Sequence, residues 1–220
     1  MRLYDAMSGH FGPCRWWPGD TPFEIAVGAI LTQSTAWRNV EKAVARLREG
    51  GALHPEAMCA LADAELADLI RSSGFYRMKA ARLRGLLDFL RSREGWARSR
   101  DKAGLDFLRG DDPAALRAEL LAVRGIGPET ADSVLLYALG MPSFVVDAYT
   151  RRIFNRHGFF PDDMPYDEIR EFFMDALPPD TVLYNEYHAL IVRTGNVFCK
   201  KNKPLCRQCP LGGFLDHDVE

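Results

Sequence analysis

Apolar residues recur every three or four positions along most of this chain, which predicts a fold built from α-helices. Residues 23–31 are almost wholly apolar, so we expect a central helix that is buried on all sides. Amphipathic helices are expected around Val40, Val44 and Leu47, and again over residues 80–90. No run of residues alternates over the length of a strand, and no internal repeat is visible. The pattern predicts an all-α protein of roughly ten helices.

A glycine-rich turn joins two of the predicted helices. Gly125 and Gly127 flank the apolar Ile126, and the second helix begins at Pro128. Glycine lets the backbone turn where a Cβ would clash, and it leaves the chain bare for a close partner. Proline suits the first helical turn, because its missing N–H has no intrahelical partner there. The start of such a helix presents unpaired N–H groups and a positive dipole end, which favour an anion such as a phosphate.

An aspartate follows the hairpin after a short apolar segment. Asp147 succeeds Phe144, Val145 and Val146 and precedes a helical pattern that begins near Ala148. One interpretation is an N-cap, whose carboxylate accepts backbone N–H groups. The other is catalytic, because a carboxylate stabilises the oxocarbenium character of a sugar that is losing its substituent, or activates water. The two roles are compatible, since a capping carboxylate is held in place.

Tryptophans are concentrated toward the N-terminal end. Trp16 and Trp17 are adjacent and are followed by Pro18, while Trp37 follows the apolar helix. Such residues either pack as an aromatic cluster against the N-terminal arm or form a pocket that sandwiches a base flipped out of a duplex. Aromatic faces attract cations, so a pocket of this kind favours a positively charged base.

Composition and charge set the protein class. With 220 residues, 47% of them hydrophobic and 26% charged, the chain has the composition of a soluble globular protein. No apolar run reaches the ~20 residues of a membrane span, and the first residues lack the apolar core of a signal peptide, so we expect a cytoplasmic protein. The net charge of −2 argues against a nonspecific nucleic-acid coat but does not exclude DNA binding. The cations that crowd the last third are Arg151, Arg152, Arg156, Arg193, Lys200, Lys201, Lys203 and Arg207.

The hairpin followed by an aspartate at this spacing resembles the helix-hairpin-helix (HhH-GPD) superfamily of DNA glycosylases, and in particular its endonuclease III-like members. The resemblance extends from about Trp16 to Cys209. It implies an all-α fold of two domains. One is a six-helix barrel with the hairpin over residues 15–141, and the other is a helical domain built from both termini, residues 1–14 and 142–220.

The resemblance also assigns roles to the residues described above. Asp147 takes the place of the catalytic aspartate. The backbone amides that would hold a DNA phosphate are those of Gly125, Ile126 and Gly127. The residues that would form the base pocket are Trp16, Trp17, Pro18 and Trp37.

Two further segments resemble DNA-contacting segments of the family. Gln33 stands where a glutamine fills the gap that the flipped nucleotide leaves in the duplex. Phe75 matches an apolar residue that wedges into the opposite strand, although a place in the hydrophobic core is the equal alternative. Lys79 is expected to face a phosphate.

Glu129 is a departure from the endonuclease III pattern, in which a lysine at this place forms a Schiff base with the sugar. A glutamate forms no imine, and an acid in the first turn of a helix is favoured by the helix dipole. The resemblance therefore implies a monofunctional enzyme that uses water and does not nick DNA by β-elimination. Together with the tryptophans, Glu129 points to the 3-methyladenine glycosylase branch.

Three of the five cysteines lie close together near the C-terminal end, which in a cytosolic chain indicates metal binding rather than disulfides. Cys199, Cys206 and Cys209 match the first three ligands of the endonuclease III iron–sulfur loop, and thiolates at this spacing suit a [4Fe–4S] cluster. The family's fourth cysteine is replaced by Leu215. The alternatives left open are a cluster completed by Asp216, His217 or a distant cysteine, loss of the cluster, and zinc on three thiolates plus His217.

These expectations describe a monofunctional DNA glycosylase of base excision repair that acts as a monomer on damaged double-stranded DNA. It would release alkylated purines, with 3-methyladenine as the first candidate, by attack of water on the N-glycosidic bond. One alternative is an endonuclease III-like glycosylase for mismatched or oxidised bases. Another is a catalytically silent protein that binds DNA lesions. Asp147 argues against the silent binder, because binding alone calls for no buried anion near phosphates.

Overall fold

The computed structural model describes residues 1–14, 16–96 and 104–215, and over these ranges it is helical throughout and contains no β-strand, which confirms the predicted fold class. None of the described helices combines the length and apolar character that a membrane crossing requires. The α-helices within these ranges are, in chain order, α1 (Arg2–Phe11), α2 (Pro22–Leu31), α3 (Trp37–Glu49), α4 (Pro55–Ala60), α5 (Asp63–Leu69), α6 (Tyr76–Ser92), α7 (Pro113–Ala122), α8 (Pro128–Ser133), α9 (Ala148–Arg156), α10 (Tyr166–Ala176) and α11 (Thr181–Val197). A π-helical stretch, Val134–Ala138, continues directly from α8.

The chain divides into two compact units. The central unit is Pro18–Met141, and the terminal unit combines Met1–Trp17 with Pro142–Glu220. The division after Met141 coincides with the expected domain boundary. The other division falls before Pro18, so Trp16 and Trp17 belong to the terminal unit and not to the barrel to which the sequence assigned them.

Helix α2 is the core of the central unit. Thr21 Oγ1 accepts the backbone N–H of Glu24 at 3.1 Å, and Pro22 occupies the first turn, which together fix the start of the helix. Every residue from Phe23 to Leu31 except Ile25 is buried, because α2 packs against α3, α6 and the π-helical stretch. The prediction of a buried central helix is confirmed.

The terminal unit is organised around α11, which packs against α1 and α9. Gly195 permits the close approach to α9, because a Cβ at this position would lie 2.2 Å from Tyr149 Cδ1. Aromatic rings fill the interior, with Phe144 stacked on Phe173 at a centroid distance of 4.1 Å. The segment that leads into α9 is thereby anchored on its apolar side.

Candidate functional site

The predicted hairpin is a tight turn between α7 and α8. The backbone N–H of Ile126 donates to Val123 O at 3.0 Å, and the Ile126 side chain is buried in the core of the central unit. Gly125 has φ +89°, a conformation that L side chains rarely adopt, and a Cβ there would lie 2.5 Å from Arg82 Cγ. Gly127 is the N-cap of α8. The buried isoleucine anchors the turn, and the two glycines keep it free of side chains.

Gln33 is bound to this hairpin. Its Nε2 donates to Gly125 O at 3.2 Å and to Thr130 Oγ1 at 2.8 Å, and its Oε1 accepts from the Arg82 guanidinium. The Gln33 side-chain amide thus connects three segments: the turn after α2, the middle of α6 and the hairpin. The sequence pointed to Gln33 and the hairpin but not to Arg82, whose only signal was its place three residues after Lys79 on the same helix.

Lys79 does not face a phosphate, and the prediction that it does is wrong. The side chain is fully buried, and Nζ donates to Leu31 O at 2.8 Å and to Ser73 O at 2.7 Å. Leu31 is the last residue of α2, so the ammonium group binds a carbonyl at the negative end of the helix dipole. Desolvation, with a smaller contribution from the Arg82 cation, lowers the pKa of Lys79 to about 8. Lys79 is a structural cap inside the central unit.

Phe75 is exposed, so its alternative assignment to the core is wrong. Its side chain is 66% exposed, and its backbone adopts φ +45° directly before α6. A bulky residue in this left-handed region is strained, and strained residues are concentrated at functional sites. The neighbouring Met78 is also exposed, so two apolar side chains project from one turn. The exposure is consistent with the wedge that the resemblance implied.

Asp147 caps α9 with one of its two carboxylate oxygens. Oδ1 accepts the backbone N–H of Thr150 at 2.7 Å and the Thr150 hydroxyl at 2.9 Å. The preceding residues 144–146 are buried, and the N–H of Val146 donates to the Tyr166 hydroxyl at 3.3 Å. The capping role is confirmed. The carboxylate is 13% exposed, so it is held in place yet reachable.

A buried histidine faces the second carboxylate oxygen. His188 Nε2, on α11, lies 3.8 Å from Asp147 Oδ2. Desolvation lowers the pKa of His188, and the nearby carboxylate opposes this effect only in part, so the imidazole is neutral at neutral pH. The sequence analysis did not single out His188. Its only signal was an imidazole within the largely apolar segment 187–191.

The tryptophans are divided between the two units. The rings of Trp16 and Trp17 pack edge to face, with centroids 5.5 Å apart and planes at 70°, so the pair does not sandwich a base between its own members. Pro18 is exposed. Trp37 begins α3, donates Nε1–H to Glu41 Oε1 at 2.9 Å and packs partly against the core of the central unit.

The C-terminal cysteines share one cavity inside the terminal unit. Cys199, Cys206 and Cys209 form no disulfide and line the same cavity. Arg156 also lines it and donates Nη1–H to Cys199 Sγ at 3.2 Å. Cys199 leads out of α11, and the other two cysteines lie in the loop that follows. The convergence that the spacing predicted is therefore present.

A comparison with protein families decides the affiliation. The model of the HhH-GPD superfamily of base excision DNA repair proteins matches residues 27–179, a range that contains the hairpin and Asp147. The chain belongs to the HhH-GPD superfamily.

Relatives and solved structures of HhH-GPD proteins agree with this affiliation. A putative DNA repair glycosylase of Methanocaldococcus jannaschii is 44% identical over 213 residues, which are 97% of this chain and 94% of the relative. Endonuclease III of Thermotoga maritima is 32% identical over 199 residues, which are 90% of this chain and 83% of the relative. These relationships establish a DNA N-glycosylase of base excision repair of the endonuclease III-like type.

Two solved structures have a fold similar to that of this chain. A non-covalent endonuclease III–DNA complex superimposes with a TM-score of 0.79 and 27% identity, covering 98% of this chain and 92% of that one. An H. pylori 3-methyladenine DNA glycosylase bound to 1,N6-ethenoadenine superimposes with a TM-score of 0.69 and 26% identity, covering 89% and 96%. The two-part helical fold implied by the sequence is that of these enzymes.

Glu129 stands in the first turn of α8, where the HhH-GPD resemblance places the imine-forming lysine of endonuclease III. The residue is exposed, and its backbone carbonyl accepts the Ser133 hydroxyl at 2.7 Å. An acid in the first helical turn is stabilised by the dipole of α8. The position offers a carboxylate and no amine.

The cysteine cavity has the donor chemistry of the iron–sulfur site of endonuclease III-like members. Within the described ranges, no three His, Cys, Asp or Glu side chains are arranged to hold a single metal ion. Three thiols nevertheless line one cavity, and they are the donors that iron–sulfur clusters use. The cavity also contains the buried Thr194 hydroxyl, for which the described residues provide no hydrogen-bond partner. The three thiol donors and the unsatisfied Thr194 hydroxyl are therefore compatible with a group bound in this cavity. Leu215 supplies no ligand, and the proposed ligands Asp216 and His217 lie outside the described residues.

Proposed function

We propose that this chain is a monofunctional DNA glycosylase that hydrolyses the N-glycosidic bond of alkylated purines, 3-methyladenine foremost, in double-stranded DNA. The observation that carries the proposal is the Asp147 carboxylate, which is anchored by Thr150 through one oxygen and left with the other oxygen free of that anchor. The protein would act as a monomer.

Asp147 would act on the sugar. As the base departs, the sugar gains positive charge, and a fixed carboxylate stabilises this charge without any reorganisation cost. The same oxygen can accept a proton from an attacking water molecule. Because Oδ1 is bound to the Thr150 N–H and hydroxyl, Oδ2 is the atom proposed for this contact. An alkylated purine is cationic and leaves readily, so no strong general acid is required.

Glu129 supports hydrolysis over lyase chemistry. A bifunctional enzyme needs an amine that attacks the sugar and forms an imine, and a carboxylate cannot do so. Water is then the nucleophile, and the product is an intact strand that carries an abasic site.

The duplex would be held by the central unit. The hairpin amides at Gly125 and Gly127 would bind a phosphate at the positive end of α8. The Ile126 amide, which the sequence had included, is already bound to Val123 O. Gln33 would occupy the space of the extruded nucleotide, and its bonds to Gly125 and Thr130 would keep it in position. The exposed Phe75 would enter the opposite strand as a wedge. Lys79 has no part in this interface.

Base recognition would rest on aromatic faces. We assign it to the rings of Trp16, Trp17 and Trp37, with Pro18 as an aliphatic contact, and not to a sandwich between Trp16 and Trp17. The attraction between a π face and a cation favours a methylated purine over a neutral base. The structurally similar H. pylori 3-methyladenine DNA glycosylase was solved with 1,N6-ethenoadenine, a modified adenine, which supports this substrate class.

The cysteines are proposed to hold a [4Fe–4S] cluster. When bound, such a group cross-links its ligands through iron–thiolate bonds and is able to exchange single electrons. The residues that would hold it, Cys199, Cys206 and Cys209, connect the end of α11 to the loop that follows. Their contribution would be to fix this loop, with Arg156 offsetting thiolate charge.

The second candidate function is excision of oxidised or mismatched bases. It is favoured by the 32% identity to endonuclease III of Thermotoga maritima. The two candidates differ in the charge of the base that is preferred.

A base-release assay tests the proposal. The purified full chain is incubated with methylated duplex DNA, and with duplexes that contain hypoxanthine, uracil or an oxidised purine, and the released base is identified by mass spectrometry. We expect 3-methyladenine to be released fastest. Trp37→Ala should weaken the binding of the extruded base by about 1–3 kcal/mol, which is the free energy of one base–aromatic stack. Trp37→Phe should recover much of this loss. Preferential release of uracil or an oxidised purine would overturn the substrate assignment in favour of the second candidate.

A further inference from the structure

The orientation of the Gln33 side-chain amide is decided by its partners. Nε2 donates to Gly125 O at 3.2 Å, and a carbonyl oxygen can only accept a hydrogen bond. Oε1 accepts from the Arg82 guanidinium, which can only donate. Exchanging the nitrogen and the oxygen would set donor against donor at Arg82 and acceptor against acceptor at Gly125. The nitrogen therefore faces the hairpin, and the oxygen faces α6.

These contacts leave one kind of hydrogen bond for a partner outside the protein. The amide nitrogen carries two hydrogens, and the described contacts use both, one on Gly125 O and one on Thr130 Oγ1. Oε1 has two lone pairs, and the Arg82 contact uses one of them. The Gln33 side chain is only half-buried. A duplex that meets Gln33 in this state can therefore bind its amide by donating a hydrogen bond to Oε1.

Arg82 is held in place on both sides. Its aliphatic part crosses the hairpin so closely that a Cβ on Gly125 would lie 2.5 Å from Cγ and 2.9 Å from Cδ. At the other end, Nη2 donates to Met78 Sδ at 3.3 Å, one turn earlier on α6. The guanidinium thus reaches Gln33 from a fixed stem, and it connects Gln33 to the exposed turn that carries Phe75 and Met78.

A phosphate contact is the other use that an arginine could have in a DNA-binding unit. Arg82 is half-buried, and both of its terminal nitrogens have partners within the protein, Nη1 on Gln33 and Nη2 on Met78. These contacts favour an orienting role over a phosphate contact.

We propose that Arg82 is a positioning residue, which holds the Gln33 amide so that Oε1 meets the base opposite the lesion as a hydrogen-bond acceptor. This role rests on the proposed function, in which Gln33 fills the gap left by the extruded nucleotide. Thymine and guanine carry an N–H at the centre of their Watson–Crick edge, whereas cytosine and adenine carry a lone pair there. A lesion opposite thymine or guanine is therefore the preferred substrate.

The orientation of the Gln33 amide can be tested in the DNA-free protein by nuclear magnetic resonance. In the ¹⁵N-labelled full chain, the side-chain NH₂ signals are assigned by their loss in Gln33→Met, and saturation transfer from water measures their hydrogen exchange. Arg82→Met keeps an unbranched side chain over Gly125 but removes the donors, so the amide should exchange roughly 2- to 10-fold faster, the effect of one lost hydrogen bond. Arg82→Lys should recover part of the protection, and Arg91→Met, an exposed change on the same helix, should have no effect. Unchanged exchange in Arg82→Met would overturn the positioning role.

The preference for the opposite base is measured by single-turnover release of 3-methyladenine placed opposite each of the four bases. Each rate is divided by the rate of Gln33→Met on the same duplex, so that differences in the stability of the lesion pairs cancel. In the wild type, the normalised rates opposite thymine and guanine should exceed those opposite cytosine and adenine by roughly 2- to 10-fold. Arg82→Met should lose this preference, and Arg82→Lys should regain part of it. Because Arg82 acts through Gln33, adding Arg82→Met to Gln33→Met should leave the relative rates unchanged.

The outcomes separate this role from the proposed function. Equal normalised rates opposite all four bases, a preference for cytosine and adenine, or a preference that survives in Arg82→Met would each overturn the positioning role, while release of the base would still support the glycosylase. If Arg82→Met keeps the preference but shows a weaker dependence of DNA affinity on salt concentration, Arg82 binds a phosphate instead. Absence of 3-methyladenine release opposite every base would overturn the proposed substrate, and the same series with the base that is released would then test Arg82.

Discussion

Asp147 and His188 face each other inside the terminal unit, with 3.8 Å between Oδ2 and Nε2. This distance is too long for a hydrogen bond, and the histidine is buried in a neutral state, so the pair is not an ion pair at neutral pH. The carboxylate thus has one oxygen bound to Thr150 and the other beside an uncharged ring. This environment fixes the Asp147 carboxylate without pairing it to a charged imidazole.

The buried imidazole predicts a specific loss of stability in acid. Its folded-state pKa is lowered by desolvation, so the unfolded chain binds a proton more readily than the folded chain. The contribution of the neutral His188 ring to the free energy of unfolding is fully present above about pH 6.5, the ordinary pKa of histidine. It is lost as pH falls below this value. The free energy of unfolding should therefore decrease between pH 7.5 and pH 5.5 by more in the wild type than in His188→Gln. The control is His10→Gln, which removes an exposed imidazole of the same unit and should lose as much unfolding free energy between these pH values as the wild type does. Equal losses in the wild type and in His188→Gln would contradict the account.

Lys79 predicts a stability effect without a DNA effect. Lys79→Met keeps most of the side-chain volume but leaves the Leu31 and Ser73 carbonyls without their ammonium donor, at a cost of about 1–3 kcal/mol for each carbonyl left unpaired. Chemical denaturation measures this cost, and the exposed Lys42→Met serves as the control, with a change within about 0.5 kcal/mol. A phosphate-binding lysine behaves differently. Its loss reduces the slope of the logarithm of DNA affinity against the logarithm of salt concentration by about one. If folded Lys79→Met shows a weaker dependence of DNA affinity on salt concentration, Lys79 leaves its buried position and binds a phosphate in the DNA complex.

How far the sequence predicts the site depends on whether a feature is local. The hairpin follows from Gly125, Ile126, Gly127 and Pro128 alone, because turn geometry and helix starts are set by neighbouring residues. The Asp147 cap is equally local. The burial of Lys79 is not, since the carbonyl of Leu31 that it binds is distant in sequence and the spacing of α6 does not reveal it.

The same reason explains the residues that sequence reasoning missed. Arg82 is significant because it reaches Gln33, and His188 because it faces Asp147. Each relationship depends on helix packing between segments that are far apart in the chain, and a periodic apolar pattern carries no information about such pairs.

Phe75 predicts a duplex-specific defect. Its exposed ring makes little contribution to the core, so Phe75→Ala should leave stability nearly unchanged. If the ring wedges into the duplex and helps to extrude the base, the variant should excise a lesion from double-stranded DNA more slowly, with a smaller effect on single-stranded DNA, where no pairing opposes extrusion. Single-turnover rates on the two substrates measure the difference. Phe159→Ala, a change of an exposed ring in the terminal unit, is the control, and an equal loss on both substrates would argue against a wedge.

Glu129 predicts the covalent chemistry of the enzyme. Borohydride should trap no covalent adduct between the wild-type protein and lesion-containing DNA, because the position provides no amine. Glu129→Lys should allow trapping and strand nicking, whereas Glu49→Lys, the same charge change at an exposed position of the central unit, should not. Gel electrophoresis resolves the adduct. Efficient trapping by the wild-type chain would mean that another amine attacks the sugar and that the enzyme is bifunctional.

The central claim is that the Asp147 carboxylate promotes glycosidic cleavage, and Asp147→Asn tests it most directly. Asparagine is as good an N-cap as aspartate, so the variant should fold and bind lesion DNA as the wild type does. Asp180→Asn is a matched control, because Asp180 caps α11 in the same unit by accepting the N–H groups of Val182 and Leu183. Single-turnover release of 3-methyladenine should fall by about 10²-fold or more in Asp147→Asn and remain near the wild-type rate in Asp180→Asn. Near-normal release by folded, DNA-binding Asp147→Asn would contradict the assignment.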